Sequence, residues 1–217
     1  MSDNDIKILH THFSSELSNK TWNSYLHKLP EAIQGEIIRY KRWEDRQARL
    51  FGKLLLLECL KDRGYPSDYL NYIEFDKYGR PYLEHDIDFS ISHSGEYVIC
   101  AITDAGKLGV DIERIKPIDL SDFERYMTPE QWKKIKEDSN EYKIFYRYWT
   151  IKESVLKADG RGLSIPLLEI NTDWKKAILF DSVWFLREIS IESDYSCYLA
   201  TNIEHSETCL KKINFGP

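Results

Sequence analysis

The sequence predicts an α+β fold in two packed halves. Three observations carry the prediction. Short strand-like segments set off by turn signals recur at Asp88–Ser92, Tyr97–Thr103, Leu108–Glu113 and Ser182–Ile191, and in the third Val110 and Ile112 alternate with two acids. Two long stretches, one opening at Pro30 and one running from Glu141 to Ala158, carry apolar residues at helical spacing instead. The order is strand, helices, strands, then helices, strands, which suits two α+β units of about 100 residues each. No sequence repeat of solenoid period accompanies it.

Taken in order, Ile6–Leu9 reads as a strand and residues 14–28 as a helix. Pro30 suits the first turn of the long helical stretch, where its missing N–H is not needed. A break is allowed near Trp43-Glu44-Asp45. Within the stretch Arg39, Arg42, Arg46 and Arg49 step by 3, 4 and 3, opposite an apolar stripe of Leu50, Leu54 and Leu57. The basic stripe reads equally as a solvated face or as a pocket wall. Gly64-Tyr-Pro66 ends the segment. Tyr72–Phe75 reads as a strand leading into a turn at Lys77-Tyr-Gly-Arg-Pro81, where Gly79 supplies the permissive backbone.

Turns at Ser94-Gly95 and Asp104-Ala-Gly106 separate the next three strands. The second of these turns is the natural joint, dividing the chain into halves at 1–103 and 104–217. It lacks the length and Ser/Pro content of a flexible linker, so the halves are expected to pack together. Thr128-Pro129-Glu130 starts a helix, with a capping threonine and proline at the first helical position. Gly160 stops the Glu141–Ala158 helix. Ser182–Ile191 and Ser196–Asn202 close the chain as antiparallel strands.

Composition sets the limits. A 217-residue chain with 42% apolar residues, fourteen tyrosines and six tryptophans can bury a real core. The net charge of -6 argues against a nucleic-acid binder, which needs a basic surface. Cys59, Cys100, Cys197 and Cys209 form no C-x2-C pair, so no structural zinc site is expected. Cys59 and Cys100 lie in apolar runs and read as buried thiols. The polar start Met1-Ser-Asp-Asn-Asp5 is wrong for a signal peptide, and Leu54–Leu57 is far too short to span a bilayer. A reducing cytoplasm and no membrane contact are the expectation.

Chemistry concentrates in two segments. In Leu108-Gly-Val-Asp-Ile-Glu113, period two puts Asp111 and Glu113 on one strand face. In Trp149-Thr-Ile-Lys-Glu-Ser-Val-Leu-Lys157, Glu153 and Lys157 are i,i+4 neighbours on one helix side. Carboxylates crowded in this way need a cation. Oxygen-only ligation suits Mg²⁺, which commonly completes its shell with water and phosphate. A lysine beside it can neutralise a departing phosphate. Taken singly, each fragment reads more readily as a solvated face or a surface pair contributing about 0.3–0.5 kcal/mol. Lys152 points about 100° away from Glu153 and reads as supporting or salt-bridged.

Four words appear in order: Tyr78-Gly-Arg-Pro81, Phe89-Ser-Ile-Ser-His-Ser94, Gly109-Val-Asp-Ile-Glu113, and the Trp149–Lys157 segment followed by Gly160-Arg-Gly-Leu163. With them the chain resembles the 4′-phosphopantetheinyl transferase superfamily in its larger, surfactin-type form. The last two words match that family's G-[VI]-D-[IV]-E and W-x-x-K-E-S-x-x-K hallmarks, and their combination is specific where either alone is weak. The resemblance spans roughly residues 30–170 and implies two similar α+β halves, related by a pseudo-twofold axis, in a single monomeric chain.

The resemblance implies Mg²⁺-dependent transfer of 4′-phosphopantetheine from coenzyme A to a serine of an apo acyl or peptidyl carrier protein, with release of adenosine 3′,5′-bisphosphate. Fatty-acid, polyketide and peptide-synthetase carriers all qualify. It implies Asp111, Glu113 and Glu153 as metal ligands. It leaves the base for the serine open between Glu153 and Glu113, of which Glu153 is preferred here because its helix can face the incoming serine, and it implies Lys157 on the departing phosphate. For coenzyme A it implies Ser92 and His93 at the nucleotide end, with His93 near the 3′-phosphate, Arg80 beside the adenine, and Asp111 and Lys157 near the pyrophosphate. Arg49 is a candidate for the 3′-phosphate. Arg80 stands where the family often has lysine, and the family's basic residues around Ala32–Glu36 are absent here. Gly162–Leu168, with Leu163, Ile165 and Leu167, reads equally as a carrier-docking patch or as core.

Two other readings compete. A Mg²⁺-dependent nuclease would use a similar acidic cluster, but it predicts a basic groove and leaves the Ser-His-Ser and Tyr-Gly-Arg-Pro words without a use. A non-catalytic homologue would be expected to have lost one of Asp111, Glu113, Glu153 and Lys157, and all four are present.

Overall fold

A computed structural model describes residues 5–84 and 87–216, apart from the side chain of Leu163. The chain forms β1 (Asp5–His12), α1 (Asn19–Leu26), α2 (Glu31–Ile38) and α3 (Trp43–Asp62). Two short strands and three longer ones follow: β2 (Glu74–Phe75), β3 (Pro81–Tyr82), β4 (Asp88–Ser94), β5 (Tyr97–Thr103) and β6 (Leu108–Arg114). Then come α4 (Pro129–Glu137), α5 (Glu141–Asp159), β7 (Ile170–Thr172), β8 (Lys176–Leu179), β9 (Ser182–Glu188), β10 (Tyr195–Thr201) and β11 (Glu207–Lys212).

The α+β expectation holds, and the strand orders show how the halves relate. Beside the two-stranded β2-β3 pair stand two larger sheets, one running β11-β1-β5-β4 and the other β6-β10-β9-β8-β7. The triplets β1-β5-β4 and β6-β10-β9 follow the same first–third–second order around one long helix each, α3 and α5. Alternation along the strands builds the layers. Ile6, Ile8, Ile99 and Ala101 from one sheet meet Val110, Ile112 and Leu199 from the other in an inter-sheet core. The opposite faces take the helices. Leu9, Val98, Cys100 and Ile102 pack with the apolar residues of α3, and Ala200 with Val155 and Leu156 of α5.

The two sheets are also stitched edge to edge. Alternate residues of β4 accept hydrogen bonds from alternate backbone N–H groups of β6. Leu108 N–H donates to Asp88 Oδ2 (2.7 Å), Val110 N–H to Ser90 Oγ (3.1 Å), Ile112 N–H to Ser92 Oγ (3.4 Å) and Arg114 N–H to Ser94 Oγ (3.1 Å). The short polar side chains thus stand where a further strand's carbonyls would be, and the edge of β6 is not left as unpaired donors.

Several boundaries differ from expectation. The helix expected at 14–28 begins only at Asn19, because Ser18 Oγ accepts from Thr21 N–H and caps it there. The long stretch after Pro30 breaks into α2 and α3 at residues 39–42, a little before Trp43. Residues 69–72 form a 3₁₀ turn, which leaves only Glu74–Phe75 as strand. At Thr128 the cap is reciprocal: Gln131 N–H donates to Thr128 Oγ1 and Thr128 N–H to Gln131 Oε1. Gly160 stops α5 with φ +92°, a backbone region open chiefly to glycine. The strand β11 was not anticipated. It returns from the C-terminus to pair parallel with β1, so the last strand of the chain completes the first sheet.

Candidate active site

A cavity of about 980 Å³ lies along the seam where β4 meets β6, walled by α3 on one side and the last turns of α5 on the other. All eight residues singled out in the sequence line it: Arg49, Arg80, Ser92, His93, Asp111, Glu113, Glu153 and Lys157.

The centre of the site depends on a close approach. A β-carbon at Gly109 would fall well inside van der Waals contact of the Ser154 carbonyl and the Ala158 nitrogen. Only glycine lets the α5 backbone rest directly on β6, and that contact brings the side chains of α5 over those of β6. Lys157 Nζ then donates to Asp111 Oδ1 (2.7 Å), Ser92 Oγ (2.9 Å) and Val110 O (3.2 Å). Ser92 Oγ also donates to Asp111 Oδ1 (2.8 Å). The Ser-His-Ser, Gly-Val-Asp-Ile-Glu and Trp149–Lys157 words therefore converge on one carboxylate. Two residues further along each strand, Ser94 Oγ donates to Glu113 Oε2 (2.8 Å).

The electrostatics are those of carboxylates crowded together out of water. Glu113 is pushed up to about 7 by burial, reinforced by the Asp111 charge and opposed by the Ser94 hydrogen bond and Lys157. Glu153 is raised by burial and then by Asp111, against Lys157. On the α3 side, burial and the charges of Arg49 and Lys157 lower the His93 pKa. Lys53, one turn after Arg49, is lowered by burial against the opposing influence of Glu36. Arg39, Arg49 and Lys53 gather positive charge at this end of the cavity, which suits an anion.

No group of three or more His, Cys, Asp or Glu side chains is closed around a common point among the described residues. The donors themselves nevertheless fit a hard divalent cation. All three are carboxylates, and Asp111 Oδ2 is buried with no hydrogen-bond partner. Oxygens of a phosphate-bearing ligand would complete such a set.

Other expected residues fall out differently. The arginine stripe is split by the break before α3. Arg39 and Arg49 line the cavity, with the Arg49 guanidinium 3.8 Å from the centre of the Tyr40 ring. Arg42 pairs with Glu44 and Arg46 with Glu16. Arg80 lines the wall, but its guanidinium is engaged by Asp88 Oδ2 (2.8 Å) and the carbonyls of Lys157 and Leu108. Lys152 is fully buried and makes no ion pair among the described residues; it donates to Leu167 O (2.7 Å). Ile165 and Leu167 are buried against Val155, Leu156 and Trp184, so in the proposed docking stretch they are core. The Leu163 side chain lies outside the described residues, and Leu168 alone of the large apolar side chains described there is exposed.

Sequence reasoning missed Lys53 and Ser94. Lys53 could have been found as the i+4 partner of Arg49 on the same helix face. Ser94 could have been found from the period-two match of Ser90, Ser92 and Ser94.

Comparison with known proteins gives a consistent picture. Residues 107–200 match the family described as the 4′-phosphopantetheinyl transferase superfamily, and residues 16–104 match 4′-phosphopantetheinyl transferase, N-terminal. The chain is 33% identical over 172 residues to the 4′-phosphopantetheinyl transferase gsp of Aneurinibacillus migulanus, covering 78% of this chain and 70% of that protein. It is 32% identical over 170 residues to the 4′-phosphopantetheinyl transferase Sfp of Bacillus subtilis, covering 75% and 74%. An L-aminoadipate-semialdehyde dehydrogenase-phosphopantetheinyl transferase of Xenopus laevis is 26% identical over 203 residues, covering 78% and 67%.

Proposed function

Because the chain belongs to the 4′-phosphopantetheinyl transferase superfamily and transfers phosphopantetheine to carrier proteins, we propose that the seam cavity holds coenzyme A and performs the transfer with Mg²⁺. The acceptor is a serine hydroxyl of an apo acyl or peptidyl carrier protein. The single observation that carries the reading is Lys157 Nζ bridging Ser92 Oγ and Asp111 Oδ1, which gathers three of the four sequence words at one point of the cavity wall.

In the reaction the carrier serine oxygen bonds to the β-phosphorus of coenzyme A. The bond from that phosphorus to the bridging oxygen breaks, and adenosine 3′,5′-bisphosphate leaves with the bonding electrons. Glu153 accepts the serine proton; its raised pKa makes it a better base than an ordinary carboxylate. Lys157 faces the leaving phosphate and balances the charge that develops there. Asp111, Glu113 and Glu153 would hold Mg²⁺, which neutralises the pyrophosphate when bound. Ser94 orients Glu113 for that role. Arg49 and His93, with Ser92, take the nucleotide end, where a 3′-phosphate needs cationic and donor groups.

We place the joint between halves at residues 103 and 104, which the bounds of the two family matches, 16–104 and 107–200, support. A cavity completed by both halves of one chain supports a monomer. We also read the protein as cytoplasmic and as using neither nucleic acid nor membrane. Among the described residues no helix is long and apolar enough to cross a membrane.

The test is the intact mass of apo acyl and peptidyl carriers after incubation with the protein, coenzyme A and Mg²⁺, beside an EDTA control. A gain of one phosphopantetheine that EDTA abolishes supports the reading. Demonstrable coenzyme A binding with no gain on any carrier would point to a non-catalytic homologue.

A further inference from the structure

Arg80 touches three elements from both halves. Its Nε donates to the Lys157 carbonyl at the end of α5 (3.0 Å). Its Nη2 donates to Asp88 Oδ2 at the start of β4 (2.8 Å) and to the Leu108 carbonyl at the start of β6 (3.2 Å). The ion pair is nearly sealed from solvent, with side chains 11% and 5% exposed. Asp88 Oδ2 also accepts from Leu108 N–H. Arg80 and Asp88 together therefore hold both polar groups of a single β6 residue.

The bond to Lys157 fills a particular gap. The last carbonyls of a helix lack intrahelical donors. The donor that would continue the ladder to the Lys157 carbonyl is Arg161 N–H, and it is directed to the Asp159 carboxylate instead (3.3 Å). Arg80 supplies the missing donor from the other half of the molecule, and its charge suits the negative end of the helix. Gly160 makes the room, since a β-carbon there would lie 2.7 Å from Arg80 Cδ. The residue capped in this way carries the Nζ that reaches Asp111 and Ser92.

We propose that Arg80 is a positioning residue, a clamp between the halves that fixes the last turn of α5 and so aims Lys157, and that its guanidinium does not serve as a ligand for the nucleotide. The proposal rests on the transferase reading only for the consequence in rate. A lysine cannot reproduce the clamp, because one ammonium lacks the planar fork that reaches a carboxylate and two carbonyls at once.

Arg80→Lys therefore separates the possibilities. Coenzyme A affinity, measured by calorimetry, should stay within about threefold of the parent, while kcat on an apo carrier should fall about tenfold or more. In a Lys157→Ala background the same change should cost less than about threefold, because the residue being aimed is gone. Amide hydrogen exchange in the last turn of α5 should quicken in Arg80→Lys whether or not the protein turns over. Asp88→Asn, which weakens the clamp from its other side, should repeat the pattern if Arg80→Lys folds poorly. A tenfold loss of affinity at unchanged kcat, equal rate losses in both backgrounds, or unaltered exchange at the end of α5 would each overturn the proposal. Absence of transfer by the parent protein would instead sink the functional reading, and the exchange measurement would still judge the clamp.

Discussion

Lys157 Nζ lies 2.7 Å from Asp111 Oδ1, while Asp111 Oδ2 is buried and accepts no hydrogen bond. One carboxylate is thus divided between two tasks. Its first oxygen anchors the lysine and the Ser92 hydroxyl, and its second has a lone pair facing no donor. A buried, unpaired carboxylate oxygen costs free energy unless a cation or donor arrives to meet it. Glu113 and Glu153 stand in the same cavity with raised pKa values, so all three groups are primed for a positive partner.

Lys157→Ala should lower kcat by about two to three orders of magnitude, the range seen when one preorganised charge or donor is removed from a developing anion. Part of the effect will be indirect, since Asp111 Oδ1 then loses its cationic partner. Single-turnover conversion of an apo carrier, followed by mass, measures it. A loss of less than about threefold would remove Lys157 from the chemistry.

Glu153→Gln keeps the shape of the side chain but cannot take a proton. It should slow transfer at least about a hundredfold while leaving coenzyme A binding nearly intact. EDTA should stop transfer by the parent protein, and added Mg²⁺ should restore it. Transfer at the parental rate by Glu153→Gln would move the base to Glu113.

The Glu113 shift sets a pH dependence. With a folded pKa of about 7 against an ordinary 4.5, the fold holds a proton that the unfolded chain releases. The stability this contributes is present below pH 4.5 and lost as pH rises through 7. A divalent cation needs the carboxylate ionised, so the stabilisation it gives should grow over that window. Melting temperatures with and without Mg²⁺ at pH 5.5, 6.5, 7.5 and 8.5 should diverge up to pH 7.5 and level off toward pH 8.5. The divergence should flatten in Glu113→Gln. A constant gap in the parent protein would contradict the assignment.

Much of this was legible in the sequence because its signals are local. Period-two alternation marked β6, an apolar run between turns marked β5, the Thr128-Pro129 pair marked the start of α4, and Gly160 marked the stop of α5. Seven of the eight candidate residues were legible because four words carry them; Arg49 came from the arginine stripe instead. What escaped depends on partners distant in sequence. β11 reads as polar and becomes a strand only through the free edge of β1. The hydroxyl ladder from β4 to β6 needs two edges side by side, which no window of sequence contains. The stretch at Ile165 and Leu167 stayed undecided in the sequence for the same reason. An apolar loop reads alike whether it covers a core or meets a partner.

Lys152 supplies a final test, this time of the scaffold beneath the site. Its ammonium is fully buried, donates to the carbonyls of Leu167 (2.7 Å) and Ile170 (3.5 Å), and has no carboxylate beside it among the described residues. Burial pulls its pKa down to about 8 from 10.5. Between those values the unfolded chain binds a proton that the fold does not. This contribution to stability is therefore fully present above pH 10.5 and is lost as pH falls through 8. Lys152→Met removes the titration while filling similar space. The stability of the parent relative to Lys152→Met should rise between pH 7.5 and pH 9.5, approaching roughly 3 kcal/mol at most for a shift of this size. At pH 7.5 the methionine protein should be comparable or more stable, since the burial of an uncompensated charge offsets the two hydrogen bonds it makes. Thermal melts of both proteins at the two pH values decide the matter. A stability difference that does not change with pH would mean that the ammonium enters the fold at no electrostatic cost, and that the carbonyls of the Leu167–Ile170 turn solvate it as well as water does.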